Sequence, residues 1–197
     1  MYDLNRFSMG DMTACGADLR KLGSGAKTME EAANRMVRYL YDHLLNGQQA
    51  AAKACVLVRF FKTQSFDQLQ PQLQRVALEV LGKPPESPGM KCLTLLASAG
   101  ARPEWNARES SAGHQVIPLP SAEIVLRIPM IAQLIAQLGL GLAAVLQPDP
   151  TLMIDLAQRT YNVFHIPDAV GSPYIPAQKD FVVPFGVRSV LGFGGLM

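Results

Sequence analysis

The sequence predicts an α+β fold, a layered sandwich of about five strands with amphipathic helices between them and at the start. Two observations carry this reading. Runs of β-branched and aromatic residues of strand length are interspersed with segments whose apolar residues recur every three to four positions. The connections between them vary widely in length and character, which fits an α+β sandwich better than a strictly alternating parallel sheet. The 197 residues are about one domain's worth of chain, and roughly 70 % of the unfolded surface is buried at that size. No internal repeat is visible.

Residues 1 to about 25 form an entry segment in which Met12, Cys15, Leu19 and Leu22 keep a three-four spacing, the mark of a short amphipathic helix. Such a helix either docks on its own domain or forms a dimer seam with a second copy. After Gly23, Ser24 and Gly25, Thr28-Met29-Glu30-Glu31 fits a capping box, with the Thr28 hydroxyl on the Glu31 N–H and Glu31 reaching back to Thr28. The helix that follows, to about Leu45, gathers Met29, Ala33, Met36, Val37, Leu40 and Leu44 on one face, suited to cover a sheet. Cys55 to Phe61 reads as a largely buried strand. Ser65 to Leu81 reads as a helix ending at Gly82, and Pro84, Pro85, Pro88 and Gly89 enforce a loop. Cys92 to Ser98 is a second strand running into Gly100, and residues 102–120 are polar and irregular.

Ser121 is placed to cap a third helix that Pro129 kinks or restarts. Leu142 to Leu146 reads as a short strand, and Asp149-Pro150 opens a helix through about Arg159. Tyr161 to Ile166 alternates as a half-buried strand, and Arg188 to Phe193 is the last. A strand ending in bare apolar residues ordinarily pairs with another. Nothing follows to provide the partner, so the chain reads as cut short before a final strand and exit helix.

Composition narrows the function classes. Apolar residues make up 49 % and charged residues 17 %, yet no unbroken run of about 20 apolar residues exists to span a bilayer. The N-terminus lacks the basic segment and apolar stretch of a secretory leader, which predicts a cytoplasmic protein. A net charge of +2 from 18 basic and 16 acidic residues, with no basic stripe, argues against nucleic acid as a partner. Cys15, Cys55 and Cys92 are too far apart in sequence for a metal clip or a paired disulfide framework, and Cys55 and Cys92 read as small core residues.

Two stretches concentrate candidate binding groups. Trp105, Asn106, Ser110, Ser111 and His114 lie in the irregular middle segment, and Tyr161, Phe164, His165, Tyr174, Phe181 and Arg188 lie in the final quarter. Convergence on one face of a sheet gives an apolar pocket with a few directional polar groups. The plainer reading is that these aromatics close the core under long loops. His114 and His165 are chemically able to bind a metal or haem, although satisfied structural histidines are the commoner case. Arg188 can hold an anionic group through its planar fork or pair with a surface carboxylate. No nucleophile–base signature is present, and Gly192 to Gly195 does not follow a strand-to-helix turn, so it is no phosphate cradle.

The order of a capped helix at Thr28 to Leu45, a strand at Cys55 to Phe61, a strand ending at Gly100 and a closing Gly186-Val187-Arg188-Ser189-Val190-Leu191 resembles a GAF domain. Leu4 to Asp11, Val116-Ile117-Pro118-Leu119-Pro120 and Gly171-Ser172-Pro173-Tyr174-Ile175-Pro176-Ala177-Gln178 look like the N-terminal sensory region of bacterial two-component signalling proteins of the histidine kinase type. The resemblance implies a central antiparallel sheet of five to six strands with helices on one face and loops over the other. It implies residues 1–25 as a signalling and dimerisation helix and 26–197 as the sensor domain. The implied function is non-catalytic: to bind a small ligand or partner and control an output domain such as a kinase, as a homodimer away from membranes and nucleic acid. The expected ligand-binding set is Trp105, His114, Tyr161, Phe164, His165, Tyr174, Phe181 and Arg188, with no cofactor named. The rivals are a stand-alone redox enzyme on the same fold, of the free methionine sulfoxide reductase type, and a ligand-free structural dimerisation module.

Overall fold

The computed structural model describes residues 1–47, 52–111, 114–129, 131–132, 146 and 162–194. Its elements in chain order are β1 (Tyr2–Asp3), α1 (Met9–Gly23), α2 (Met29–His43), β2 (Leu44–Leu45), β3 (Leu57–Ser65), α3 (Pro71–Leu81), β4 (Lys91–Gly100), β5 (Val116–Leu119), α4 (Ala122–Leu126), β6 (Asn162–Ile166) and β7 (Val190–Gly194). The protein is thus mixed α+β, as its sequence predicts. It divides into two compact units: Met1–Pro84 with Cys92–Pro118, and Pro85–Lys91 with Leu119–Met197.

In the first unit the N-terminus is strapped to the end of α2. Tyr2 pairs with Leu44 and Asp3 with Leu45 in a short parallel ladder. Asp3 accepts from the backbone N–H groups of Asn5 at 2.9 Å and Gly47 at 3.0 Å. A Cβ on Gly47 would fall 2.0 Å from the Asp3 carboxylate, so this close approach requires glycine. Ser8 and Asp11 form a reciprocal capping box that starts α1. α1 packs on α2 of its own chain, burying Cys15 and leaving Met9 and Met12 exposed. Tyr39 donates to Asp18 at 2.6 Å and Tyr2 to the same oxygen at 3.3 Å, tying strap, α1 and α2 together. That Tyr39 hydrogen bond holds the Asp18 carboxyl below its ordinary range.

At the head of α2 the Thr28 hydroxyl accepts from the Glu31 N–H at 3.1 Å. The reciprocal half of the expected box is shifted by one residue, because the Glu31 carboxylate takes the Lys27 N–H at 2.9 Å and also pairs with Arg35. Ala33 and Val37, each 2 % exposed, then pack against Leu96, Ala97 and Ala99 of β4, with Tyr41, Val58 and Phe60 around them. The helix covers a sheet, as its apolar face predicts.

That sheet has the order β3-β4-β5. The Ala101 N–H donates to the Val56 carbonyl at 3.0 Å, so the residue after β4 lies beside the residue before β3 and the two strands run antiparallel. β4 is central and is buried along nearly its whole length. β5 falls in the stretch read as irregular from sequence. It is four residues long and contains Pro118, which lacks a ladder N–H and suits the edge position it occupies. Among the described residues the strands therefore form three sheets of two, three and two strands, and the single five-to-six-stranded sheet is not present. β1 and β2 are too short to extend the central ladder, and β6 and β7 pair with each other.

Boundaries elsewhere moved for local reasons. β3 continues to Ser65 instead of stopping at Phe61, and a 3₁₀ turn over Phe66–Gln68 precedes α3, which begins with Pro71 in its first turn. Gly82 ends α3 with φ of 68°, a left-handed cap that favours glycine. Ser121 caps α4, which stops at Leu126, and helical backbone resumes at Pro129. The expected strand at 142–146 and helix at 149–159 lie outside the described residues.

The second unit contains the β6–β7 ribbon, antiparallel with Asn162 opposite Gly194 and Ile166 opposite Val190. The last strand therefore pairs with a segment upstream of it, and the inference that it lacks a partner is corrected. The proline-rich stretch between the two strands hid the pairing. Phe164 and Ile166 are buried while Val163, Leu191 and Phe193 are exposed, the alternation a two-sided ribbon imposes.

The packing of α2 predicts a graded response to substitution. Val37→Ala should cost about 2 kcal/mol through a cavity, and Ala33→Leu about 1–3 kcal/mol through overpacking. Leu78→Ala, on the exposed side of α3 at 37 % exposure, should cost well under either. Urea denaturation monitored by circular dichroism checks the order. Equal effects at all three positions would contradict the helix–sheet interface described.

Candidate functional site

The sequence-derived candidates fall into the two units. Trp105 and His114 belong to the first, and Phe164, His165, Tyr174, Phe181 and Arg188 to the second; Tyr161 lies outside the described residues. Trp105 is half-buried and packs on β4, where a Cβ on Gly100 would come within 2.9 Å of its ring. The Arg102 guanidinium lies 5.7 Å from that ring. His114 is exposed. In the second unit Phe164 is a core residue, 2 % exposed, and Phe181 packs near Phe185 at 6.1 Å. Arg188 is exposed, lies before β7 instead of at its start, and accepts through its carbonyl from the Ala169 N–H at 2.8 Å.

Two of these candidates, His165 and Tyr174, meet. They line an open groove of about 370 Å³ with Pro167, Asp168, Val170 and Pro173. The wall of the groove is organised by Gln178, which sequence reading quoted only as part of a motif. Its amide nitrogen donates to the carbonyls of Ala169 at 3.0 Å and Ile175 at 2.8 Å, and its amide oxygen accepts from the Gly171 N–H at 2.9 Å. Gly171 sits at φ of 73°, a conformation that suits glycine. Ala169 and Ile175 are buried beneath. The groove is shallow and carries few polar groups aimed inward, so it offers a surface more than a pocket.

A different constellation is buried in the first unit. Val58 and Phe60 of β3 and Leu96, Ala97 and Ala99 of β4 belong to the cluster under α2. Arg59 stands between Val58 and Phe60 and Ser98 between Ala97 and Ala99, and Arg59 Nη2 donates to Ser111 Oγ at 2.7 Å. Among the described residues Arg59 Nε and Ser98 Oγ are buried with no hydrogen-bond partner, as is Thr94 Oγ1 further along β4. Ser98 is 2 % exposed and Ser111 1 %. Burial alone lowers the affinity of Arg59 for its proton, and among the described residues no carboxylate pairs with it. Sequence reading included Ser111 among the polar candidates and passed over Arg59, although one arginine inside an otherwise apolar strand is the signal that marks it.

The loop carrying Ser111 is pinned from several sides. Asn106 accepts from the Gly100 N–H at 3.2 Å and from Arg38 at 2.9 Å, and donates to the carbonyls of Gly100 and Arg102. Arg108, with its side chain 13 % exposed, pairs with Glu30 at 3.0 Å. Ser111 is thus held in place by the bonds of its own loop. Among the described residues no group of three or more His, Cys, Asp or Glu side chains is arranged to hold a metal ion, and no helix is long and apolar enough to cross a membrane.

Gln178 makes the groove wall testable. Gln178→Ala leaves buried backbone acceptors without donors and should cost about 1–3 kcal/mol. Gln178→Glu, which keeps the shape and loses the donors, should be no better. Hydrogen exchange at the Gly171 amide should accelerate in Gln178→Ala, which removes its acceptor, and unchanged protection there would refute the assignment.

Compared with protein-family models, with curated proteins and with solved structures, the chain matches none.

Proposed function

We propose that this chain is a non-catalytic, GAF-like sensory module that binds a small molecule at the cluster of Arg59, Ser98 and Ser111 and controls an output domain such as a histidine kinase. The observation that supports it is the set of buried polar atoms around Arg59, Ser98 and Ser111. A buried donor left unmade costs about 1–3 kcal/mol, more when charged, and a fold that keeps several in one cluster is built to receive a partner for them. A cytoplasmic homodimer belongs to the same reading. α1 docks on its own chain, and its exposed Met9 and Met12 remain for a second copy.

The principal rival is thiol redox chemistry on the same fold. It needs a thiolate near neutral pH. Burial pushes the Cys92 thiol from its ordinary value of 9.0 to about 11, and raises Cys15 and Cys55 as well. These shifts favour the sensory reading over the enzymatic one.

Native mass spectrometry of the chain purified from its own host tests the proposal. The expected result is a discrete mass increment that disappears on denaturation. Bare chain mass, together with no stabilisation by any pool of host metabolites, would sink it. The thiols give a second measurement. An unfolded chain releases the Cys92 proton near pH 9 and the folded chain near 11, so the folded state binds more protons between them. The stability contributed by this group is present below pH 9 and is lost as pH rises through about 11. Wild type should lose more stability over that window than Cys92→Ala, and Cys92 should resist alkylation at pH 8. Fast labelling at pH 7 would favour the redox reading.

A further inference from the structure

We propose that the ligand of this polar cluster presents an anionic group, a carboxylate or a phosphate, to Arg59, Ser98 and Ser111. The inference rests on the small-molecule reading above and adds the chemical class.

Three features select an anion. First, the unsatisfied atoms are able to act as donors together. Arg59 offers its Nε–H, Ser98 its hydroxyl, and Ser111, which already accepts from Arg59 Nη2 at 2.7 Å, still has its own O–H to give. Second, the guanidinium is fixed. The Ser111 contact anchors one arm of the planar fork, leaving the Nε edge buried and unmatched, and a fork held in this way suits two oxygens of one planar or tetrahedral anion. Third, the charge needs an answer. Arginine does not shed its proton in proteins, and half-buried Arg59 has no carboxylate beside it among the described residues. A neutral ligand with a carbonyl satisfies the hydrogen bonds and leaves the charge uncompensated; a carboxylate or phosphate answers both.

Leu57 and Trp105 close the end of β4 against Gly100. Ser111 is delivered by the loop that Asn106 and Arg108 pin, so its position does not depend on the ligand.

The test uses the intact chain with inorganic phosphate and acetate as probes, against chloride at matched ionic strength. Wild type should show a saturable rise in melting temperature with at least one probe, and the Arg59 Nε–H resonance should shift on titration. Arg59→Met should remove the response, because it keeps the length of the side chain and removes charge and fork together. Arg59→Lys keeps the charge and loses the fork, and should bind at least about tenfold more weakly; Ser98→Ala should weaken binding to a smaller extent. Should Arg59→Met fail to fold, the Lys variant and the resonance shift decide. Identical responses of wild type and the Arg59 variants, or no Nε–H shift, overturn the anion assignment. A host-derived ligand retained equally by Arg59→Met overturns it too while leaving the small-molecule reading intact. No saturable response of wild type to any solute, charged or neutral, removes both.

Discussion

Ala33 and Val37 of α2 meet Ala97 and Ala99 of β4 across an interface in which helix and strand both present small side chains. Leu96, Tyr41, Val58 and Phe60 close in around these small residues, so the interface admits little change in volume. Arg59 and Ser98 interrupt the apolar runs of β3 and β4, each standing between two residues committed to the cluster.

The remaining tertiary bonds of the first unit hold the ends of this layer. Tyr2, Asp18 and Tyr39 connect the strap, α1 and α2, and Asp3 closes the turn after β2 through Gly47. Asn106 ties the loop beyond β4 to both the strand end and α2. Each bond joins neighbours of α2, so the helix organises the unit through its polar flanks as well as its apolar face. The second unit is built otherwise. Its ribbon contributes Phe164 and Ile166 to a small core, and a single amide side chain, Gln178, does for the following loop what a ladder does for a strand.

How much of this was legible depended on range. Local chemistry was read well: Thr28 caps α2, the apolar faces of α2 and α3 point inward, Gly82 ends α3, and Cys92 is a core thiol. Each of those signals lies within a turn or two of the residue it governs. Long-range pairing was not legible. β6 and β7 are separated by more than twenty residues rich in proline, and nothing in either strand names the other. β5 escaped because Pro118 argues against a strand unless the strand is known to lie at an edge. The site followed the same division. Aromatic and histidine residues drew attention by type, yet only His165 and Tyr174 share a groove, whereas Arg59 acquires its meaning from Ser111, 52 positions away and on a loop.

An unsatisfied polar cluster also links stability to occupancy. Each buried donor without a partner lowers the stability of the empty protein by an amount comparable to its share of the net folding free energy, which is only about 5–15 kcal/mol for a domain. A ligand that supplies acceptors returns that stability by mass action as its concentration rises above its dissociation constant. Arg59 and Ser98 stand on the strands that also carry Val58, Phe60, Ala97 and Ala99 of the cluster under α2, so the hydrogen bonding of the polar atoms and the packing of the helix depend on the same two strands.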